Sequence, residues 1–146
     1  MYHVSKKGIL FIKKFEGFRA RVYKCPAGYR TIGYGHVLQQ NEQYQDITLM
    51  QAEEILLRDL VVIARGVMRN TKVALEQHQV DAIISLVFNI GIGAYQRSTL
   101  RAKLNRHEHE SVAKEFVRWI WVGNKTSKGL LCRREAELRL YLDDIY

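Results

Sequence analysis

One stretch of the chain, Phe18 to His36, reads FRARVYKCPAGYRTIGYGH and departs from the helical pattern around it. Val22, Tyr23, Tyr29, Thr31, Ile32 and Tyr34 are strand formers, and Pro26, Gly28, Gly33 and Gly35 punctuate them. Strand formers interrupted by turn residues predict a small antiparallel hairpin sheet from Arg19 to about Val37. A chain with one such island must pack a little sheet beside a larger helical body, which restricts it to an α+β, mostly α architecture.

Chemistry-bearing residues gather on this island. Glu16 closes the hydrophobic segment before it, Cys25 follows after eight intervening residues, and Thr31 after five more. A carboxylic acid able to give a proton, facing small polar groups able to hold a water, is what hydrolysis of an acetal-type bond requires.

The flanking segments read as helices. Ser5 is a plausible N-cap for a short amphipathic helix through about Phe15. Leu38 to Asp46 is polar and Gln-rich, a surface loop. Thr48 and Gln51 form a capping-box signature. Ala52, Ile55, Leu56, Leu60, Ile63, Ala64 and Val67 then recur on one helix face, predicting a long helix to about Arg69. Val80, Ile83, Ile84, Val87 and Phe88 mark another helix over Gln77 to Ile90, and Gly91 and Gly93 break the chain after it. Ser98 caps a short helix through Leu104. Val112, Ala113, Phe116, Val117 and Ile120 predict a helix from Glu110 to Val122, and Gly123 to Gly129 a polar turn. A last helix spans Leu130 to Leu142, with Leu131, Leu138 and Leu142 inward. The expected organisation is one domain over 1–146, with a sheet lobe over about 1–58, a connecting helix over about 49–69 and a helical lobe over about 70–146.

At 146 residues and 47% hydrophobic content, the chain can fill a core of its own. Its formal charge of +8 favours a polyanionic partner, with nucleic acid, an acidic membrane surface and the bacterial cell wall all eligible. The basic residues are spread along the chain and no recognisable DNA-binding motif occurs, so no nucleic-acid partner is expected. The two cysteines, Cys25 and Cys132, imply no disulfide framework and are expected to be reduced. No His or Cys cluster has metal-ligand spacing, and GYGH lacks the lysine and following helix of a phosphate loop, so neither metal nor cofactor is expected. The apolar run Gly8 to Ile12 is too short for an export signal or a membrane span, so no stable membrane insertion is expected.

The chain resembles the phage-type lysozymes, the muramidases that serve as endolysins of phages and prophages. Glu16, Cys25 and Thr31 match the family's Glu, eight residues, Asp or Cys, five residues, Thr arrangement. TIGYGH, FNIG from Phe88 to Gly91, and GLLCRREAEL from Gly129 to Leu138 resemble further family segments in the same order. The resemblance implies cleavage of the β-1,4 bond between N-acetylmuramic acid and N-acetylglucosamine in peptidoglycan. Glu16 would be the general acid, held protonated by apolar neighbours such as Phe15 and Phe18, with Cys25 and Thr31 holding an attacking water. A covalent role for Cys25 is the lesser alternative. A non-catalytic wall-binding module is the alternative function, suggested by Cys25 standing where many members carry Asp.

The resemblance also implies supporting roles. His36 and Asp59 would form a structural ion pair between sheet and helix. One of Arg133 and Arg134, by alignment Arg134, would reach the Glu16 carboxylate. Asn89 and Tyr34 are candidate glycan contacts or supports. The implied working form is a monomer, made in the host cytoplasm, released to the periplasmic wall by a separately encoded holin and carrying no added wall-binding domain.

Overall fold

The computed structural model describes residues 2–143. Helix α1 spans Lys6–Glu16. Ser5 caps it, its hydroxyl accepting from the Gly8 N–H at 3.0 Å, which satisfies one of the amides that a helix start leaves unpaired. Gly17, at φ 69°, ends the helix in a conformation that a side chain would resist, and sends the chain into the sheet. Strands β1 (Arg19–Lys24), β2 (Arg30–Gly33) and β3 (His36–Val37) follow, antiparallel in that order. The pairing is irregular between Arg19 and Tyr23, after which Tyr23 faces Thr31.

Helix α2, Leu49–Asn70, is the longest at 22 residues. Its capping box is complete: the Gln51 N–H donates to the Thr48 hydroxyl at 3.1 Å, and the Thr48 N–H to the Gln51 side chain at 2.8 Å. Helices α3 (Gln77–Ile90), α4 (Ile92–Gln96), α5 (Thr99–Leu104) and α6 (His109–Phe116) come next. Strands β4 (Trp121–Val122) and β5 (Lys125–Thr126) pair as a small hairpin, and α7 spans Lys128–Tyr141.

Two apolar clusters organise the packing. Ile32, Ile47, Ala52 and Ile55 join the sheet to the start of α2. The larger cluster is built around α3, where every residue from Val80 to Val87 is buried. Helices α1, α2 and α7 all pack against α3, so its central turns from Val80 to Val87 are closed to water on every side. Tyr34 packs against both clusters and ties them together.

The helical half departs from the sequence expectation in three places. The segment after Gly91 winds into α4, because Tyr95 is fully buried and draws the turn inward. The helix expected to reach Val122 stops at Phe116. A tight turn follows, in which the Arg118 and Trp119 amides bond back to Glu115 and Phe116, and a two-residue hairpin turn begins with Gly123 at φ 61°. Finally, the inward face of α7 is not its leucine stripe. Leu131 and Leu142 are exposed, Leu138 is partly buried, and the side turned to α3 carries Arg133, Arg134 and Glu137 as well as Leu140 and Tyr141.

Candidate active site

Glu16 is the last residue of α1, so its side chain leaves the helix where the chain turns into the sheet. The carboxylate is 15% exposed and receives the Arg133 Nη1–H at 2.5 Å on Oε2. Its other oxygen, Oε1, lies against Gly35, which holds φ 73° in the turn between β2 and β3; a Cβ at that position would overlap Glu16 Oε1. Glycine therefore serves here both for its backbone conformation and for the space it leaves. Phe15 supplies an aromatic face 5.9 Å from the Arg133 guanidinium carbon.

Arg133 is the arginine that reaches Glu16, which corrects the assignment of that role to Arg134. Adjacent helical residues point about 100° apart, so only one of the pair can face α1. Arg133 also donates from Nε to Glu137 at 3.2 Å and from Nη2 to the Ser85 carbonyl at 3.0 Å. Arg134 turns the other way. Its Nε donates to the Trp119 carbonyl at 2.8 Å, its Nη1 to Glu137 at 2.5 Å and its Nη2 to the Asn89 side-chain oxygen. Burial pulls the Arg134 pKa down, and Glu137 works against that shift.

Glu137 is the residue the sequence reading missed. It is wholly buried, lies between both guanidinium groups and accepts a further bond from the Ser85 hydroxyl at 2.5 Å. Two cations and two carboxylates thus form one chain, Glu16–Arg133–Glu137–Arg134, whose formal charges cancel. A buried carboxylate shared by two arginines is the arrangement that offsets its own desolvation. Among the described residues, every buried side-chain nitrogen and oxygen has a partner. The signal for Glu137 was present in RREAE, where it stands three and four residues after the two arginines, a helical contact spacing.

Cys25 and Thr31 come together where the β1–β2 hairpin turns, the Cys25 N–H donating to the Tyr29 carbonyl at 2.9 Å. Thr31 is only 2% exposed, and its hydroxyl donates to the Tyr29 carbonyl at 3.0 Å. The hydroxyl has one rotatable proton, for which the Tyr29 carbonyl and the Cys25 sulfur compete, and its lone pairs stay open as acceptors. Burial works to raise the Cys25 thiol pKa, but hydrogen bonds from the backbone at Tyr29, Ala27 and Gly28 and from the Thr31 side chain outweigh it, leaving the thiol below its ordinary value. Cys132, by contrast, is exposed. Tyr23, the cross-strand partner of Thr31, registers both halves of the site. Its hydroxyl is pushed up first by burial, then by the Glu16 carboxylate, with a smaller contribution from Cys25. Glu16 and Cys25 thus act on one phenol, which the sequence showed only as a strand former.

His36 sits on β3 between two acids. Nδ1 lies 2.7 Å from Asp59 on α2 and Nε2 lies 3.1 Å from Glu42. The Asp59 hydrogen bond raises the imidazole pKa most; burial opposes it and Glu42 adds to it. Glu42 is held in turn by the Gln39 N–H at 2.7 Å and by the Tyr44 hydroxyl at 3.1 Å. This polar cage pins the 39–44 loop to the sheet, a contact the sequence reading of a free surface loop did not contain. Tyr34 has its ring 5.8 Å from that of Phe18, with the Lys13 ammonium 5.5 Å from its centre. Asn89 is exposed at the end of α3, its oxygen taken by Arg134. Among the described residues, no group of three or more His, Cys, Asp or Glu is placed to hold a metal.

Known proteins share this arrangement of chain. The phage lysozyme family model matches residues 13–137. An endolysin of Acyrthosiphon pisum secondary endosymbiont phage 1 is 42% identical over 95% of this chain and 97% of its own. An endolysin from Escherichia coli O157:H7 phage FAHEc1 superposes with a TM-score of 0.88 at 36% identity, over 99% of this chain and 96% of that one. The muramidase domain of SpmX from Asticaccaulis excentricus superposes at 0.87 with 31% identity, over 97% and 99%. By a match along most of its length, in sequence and in fold, the chain belongs to the phage lysozyme family.

Proposed function

We propose that Glu16 is the general acid of a muramidase that cleaves the β-1,4 bond between N-acetylmuramic acid and N-acetylglucosamine. The family's enzymes hydrolyse peptidoglycan, and the relatives are endolysins; the chain is read as an enzyme of host lysis. The observation that carries the residue assignment is the seating of the Glu16 carboxylate between Gly35 and Arg133 at the point where α1 turns into the sheet.

In this reading protonated Glu16 gives its proton to the bridging oxygen. The bond to the muramic anomeric carbon breaks, and positive charge develops on that carbon and its ring oxygen. A water lodged against the Thr31 hydroxyl and the Cys25 sulfur attacks from the opposite face and releases its proton to solvent. The Thr31 oxygen accepts a hydrogen bond from that water, which leaves a lone pair of the water to face the carbon. A sugar ring covering Glu16 removes the water that solvates its charge and favours the neutral acid. Arg133 fixes the position of the acid, and Glu137, shared with Arg134, offsets one of the two guanidinium charges. Asn89 keeps its amide NH2 for a glycan acceptor while Arg134 holds its oxygen. Tyr34 stiffens the sheet beneath the cleft. His36 and Asp59 brace sheet against helix. The working form is read as a monomer that reaches the wall through a separately encoded holin, a reading that rests on the endolysin relatives.

Digestion of purified sacculi tests the reaction. Hydrolysis leaves new reducing ends that borohydride converts to muramitol. Binding to sacculi without reducing ends would replace the enzyme by a wall-binding module, and anhydro ends would replace hydrolysis by intramolecular transfer.

A further inference from the structure

Among the described residues, the outward side of α2 is flanked only by the N-terminal segment and is otherwise left to solvent. From Leu57 to Arg69 it presents Leu57, Val61, Val62 and Met68 to solvent, with Val61 50% and Val62 58% exposed. Arg58, Arg65 and Arg69 are interleaved with them, all exposed. The one acid in this stretch, Asp59, is turned away to His36. Among the described residues, none of the three arginines joins an ion pair with an acid. A groove of about 240 Å3 runs along this stripe between α2 and the N-terminal segment, its walls including Tyr2, Val4, Ile9, Leu57, Val61 and Met68, with His3 and Arg65 among the residues at its edge. Lys6 and Lys7, exposed at the start of α1, border the same end.

We infer that this stripe is a docking surface for an anionic phospholipid bilayer. An apolar face interleaved with three arginines, with the single charge of Glu54 a turn before it, is net cationic, as are segments that lie in a membrane interface, and the negative surface of such a bilayer supplies the countercharge. The aliphatic arginine stems add apolar contact while their heads stay at headgroup level. No helix among the described residues is long and apolar enough to span, so the contact is peripheral. Helical geometry places Leu57 and Val61 about 160° around α2 from Asp59. Leu57, Val61 and Met68 therefore face away from the sheet, while Val62, about 60° from Asp59, lies at the sheet-side edge of the stripe; seating on the first three leaves the sheet open to glycan. The surface would hold the enzyme at a membrane beside the wall it cuts.

Co-sedimentation with vesicles tests the assignment. Wild type is expected to bind equal parts phosphatidylglycerol and phosphatidylcholine at low salt, to leave at 0.5 M salt on the order of a Debye length of 4 Å or so, and to ignore pure phosphatidylcholine. The triple variants L57S/V61S/V62S and R58S/R65S/R69S should each bind at least about tenfold more weakly. A control triple of equal charge loss on exposed sites elsewhere, K114S/K128S/R139S, should stay within about threefold of wild type. All should clear permeabilised cells at the wild-type rate, and Val61→Asp alone should weaken vesicle binding should a triple variant fail to fold. Three results would overturn the inference: no binding by wild type, equal loss in the control triple, or a dimer by light scattering that L57S/V61S/V62S dissociates, which would make a second copy the occupant.

Discussion

Gly35 and Arg133 hold the Glu16 carboxylate from two sides, and each can be tested alone. Gly35→Ala puts a methyl group where Glu16 Oε1 lies and asks an L residue to hold φ 73°. Thermal unfolding should show a loss of about 1–2 kcal/mol from the left-handed backbone, and lysis should fall further than that loss explains, because the acid is displaced. Stability loss with unchanged lysis would mean that the carboxylate can move without penalty. Arg133→Lys keeps the charge but cannot bridge Glu16, Glu137 and the Ser85 carbonyl at once. It should lower both stability and turnover, and a variant indistinguishable from wild type in urea unfolding and lysis would contradict the bridging role. The sequence showed that an arginine belonged here but not which one. The choice depends on the rotation of α7 about its axis, and neighbouring arginines look alike until a partner is placed.

The same limit governs the helices as elements. Helices α2 and α3 were legible from apolar residues that repeat with the helix turn, and α1, α2 and α5 from the explicit caps Ser5, Thr48 and Ser98. Helix α7 was legible as a helix but not as a packed face, since its inward side is partly ionic and leucine spacing pointed elsewhere. Strands β4 and β5 were read as helix and turn because two residues each are too few to show alternation. Arg133 ties α7 to Glu16 of α1 and to Ser85 of α3, and Glu137 holds that guanidinium and the Ser85 hydroxyl. Replacing Glu137 by Gln leaves two buried guanidinium groups with one carboxylate fewer, which should cost about 3–5 kcal/mol. Urea unfolding measures this, and a loss below about 1 kcal/mol would show that the cluster contributes little.

Across the whole molecule, the sheet is held to α2 by the small apolar cluster and by His36 between Asp59 and Glu42. The imidazole is raised above its ordinary pKa of about 6.5. Its contribution to stability is therefore complete below that ordinary value and fades as pH rises through the higher folded value. His36→Gln should cost about 1.5–3 kcal/mol at pH 5.5 or so, and less as pH climbs past neutral. A cost that does not change with pH would mean that the histidine is neutral throughout. The apolar pattern showed both the sheet and the helical body in advance. The loop carrying Glu42 was invisible as a brace because its polar residues find their partners only once β3 and α2 are side by side.

The proposed reaction rests on Glu16 as the proton donor. The rate of reducing-end release from purified sacculi by Glu16→Gln, set beside wild type after unfolding curves have shown both proteins folded, measures that role. Glutamine keeps the shape and loses the proton, so the rate should fall by about 10²–10⁴-fold. A folded Glu16→Gln enzyme that releases reducing ends within about threefold of the wild-type rate would place the acid elsewhere.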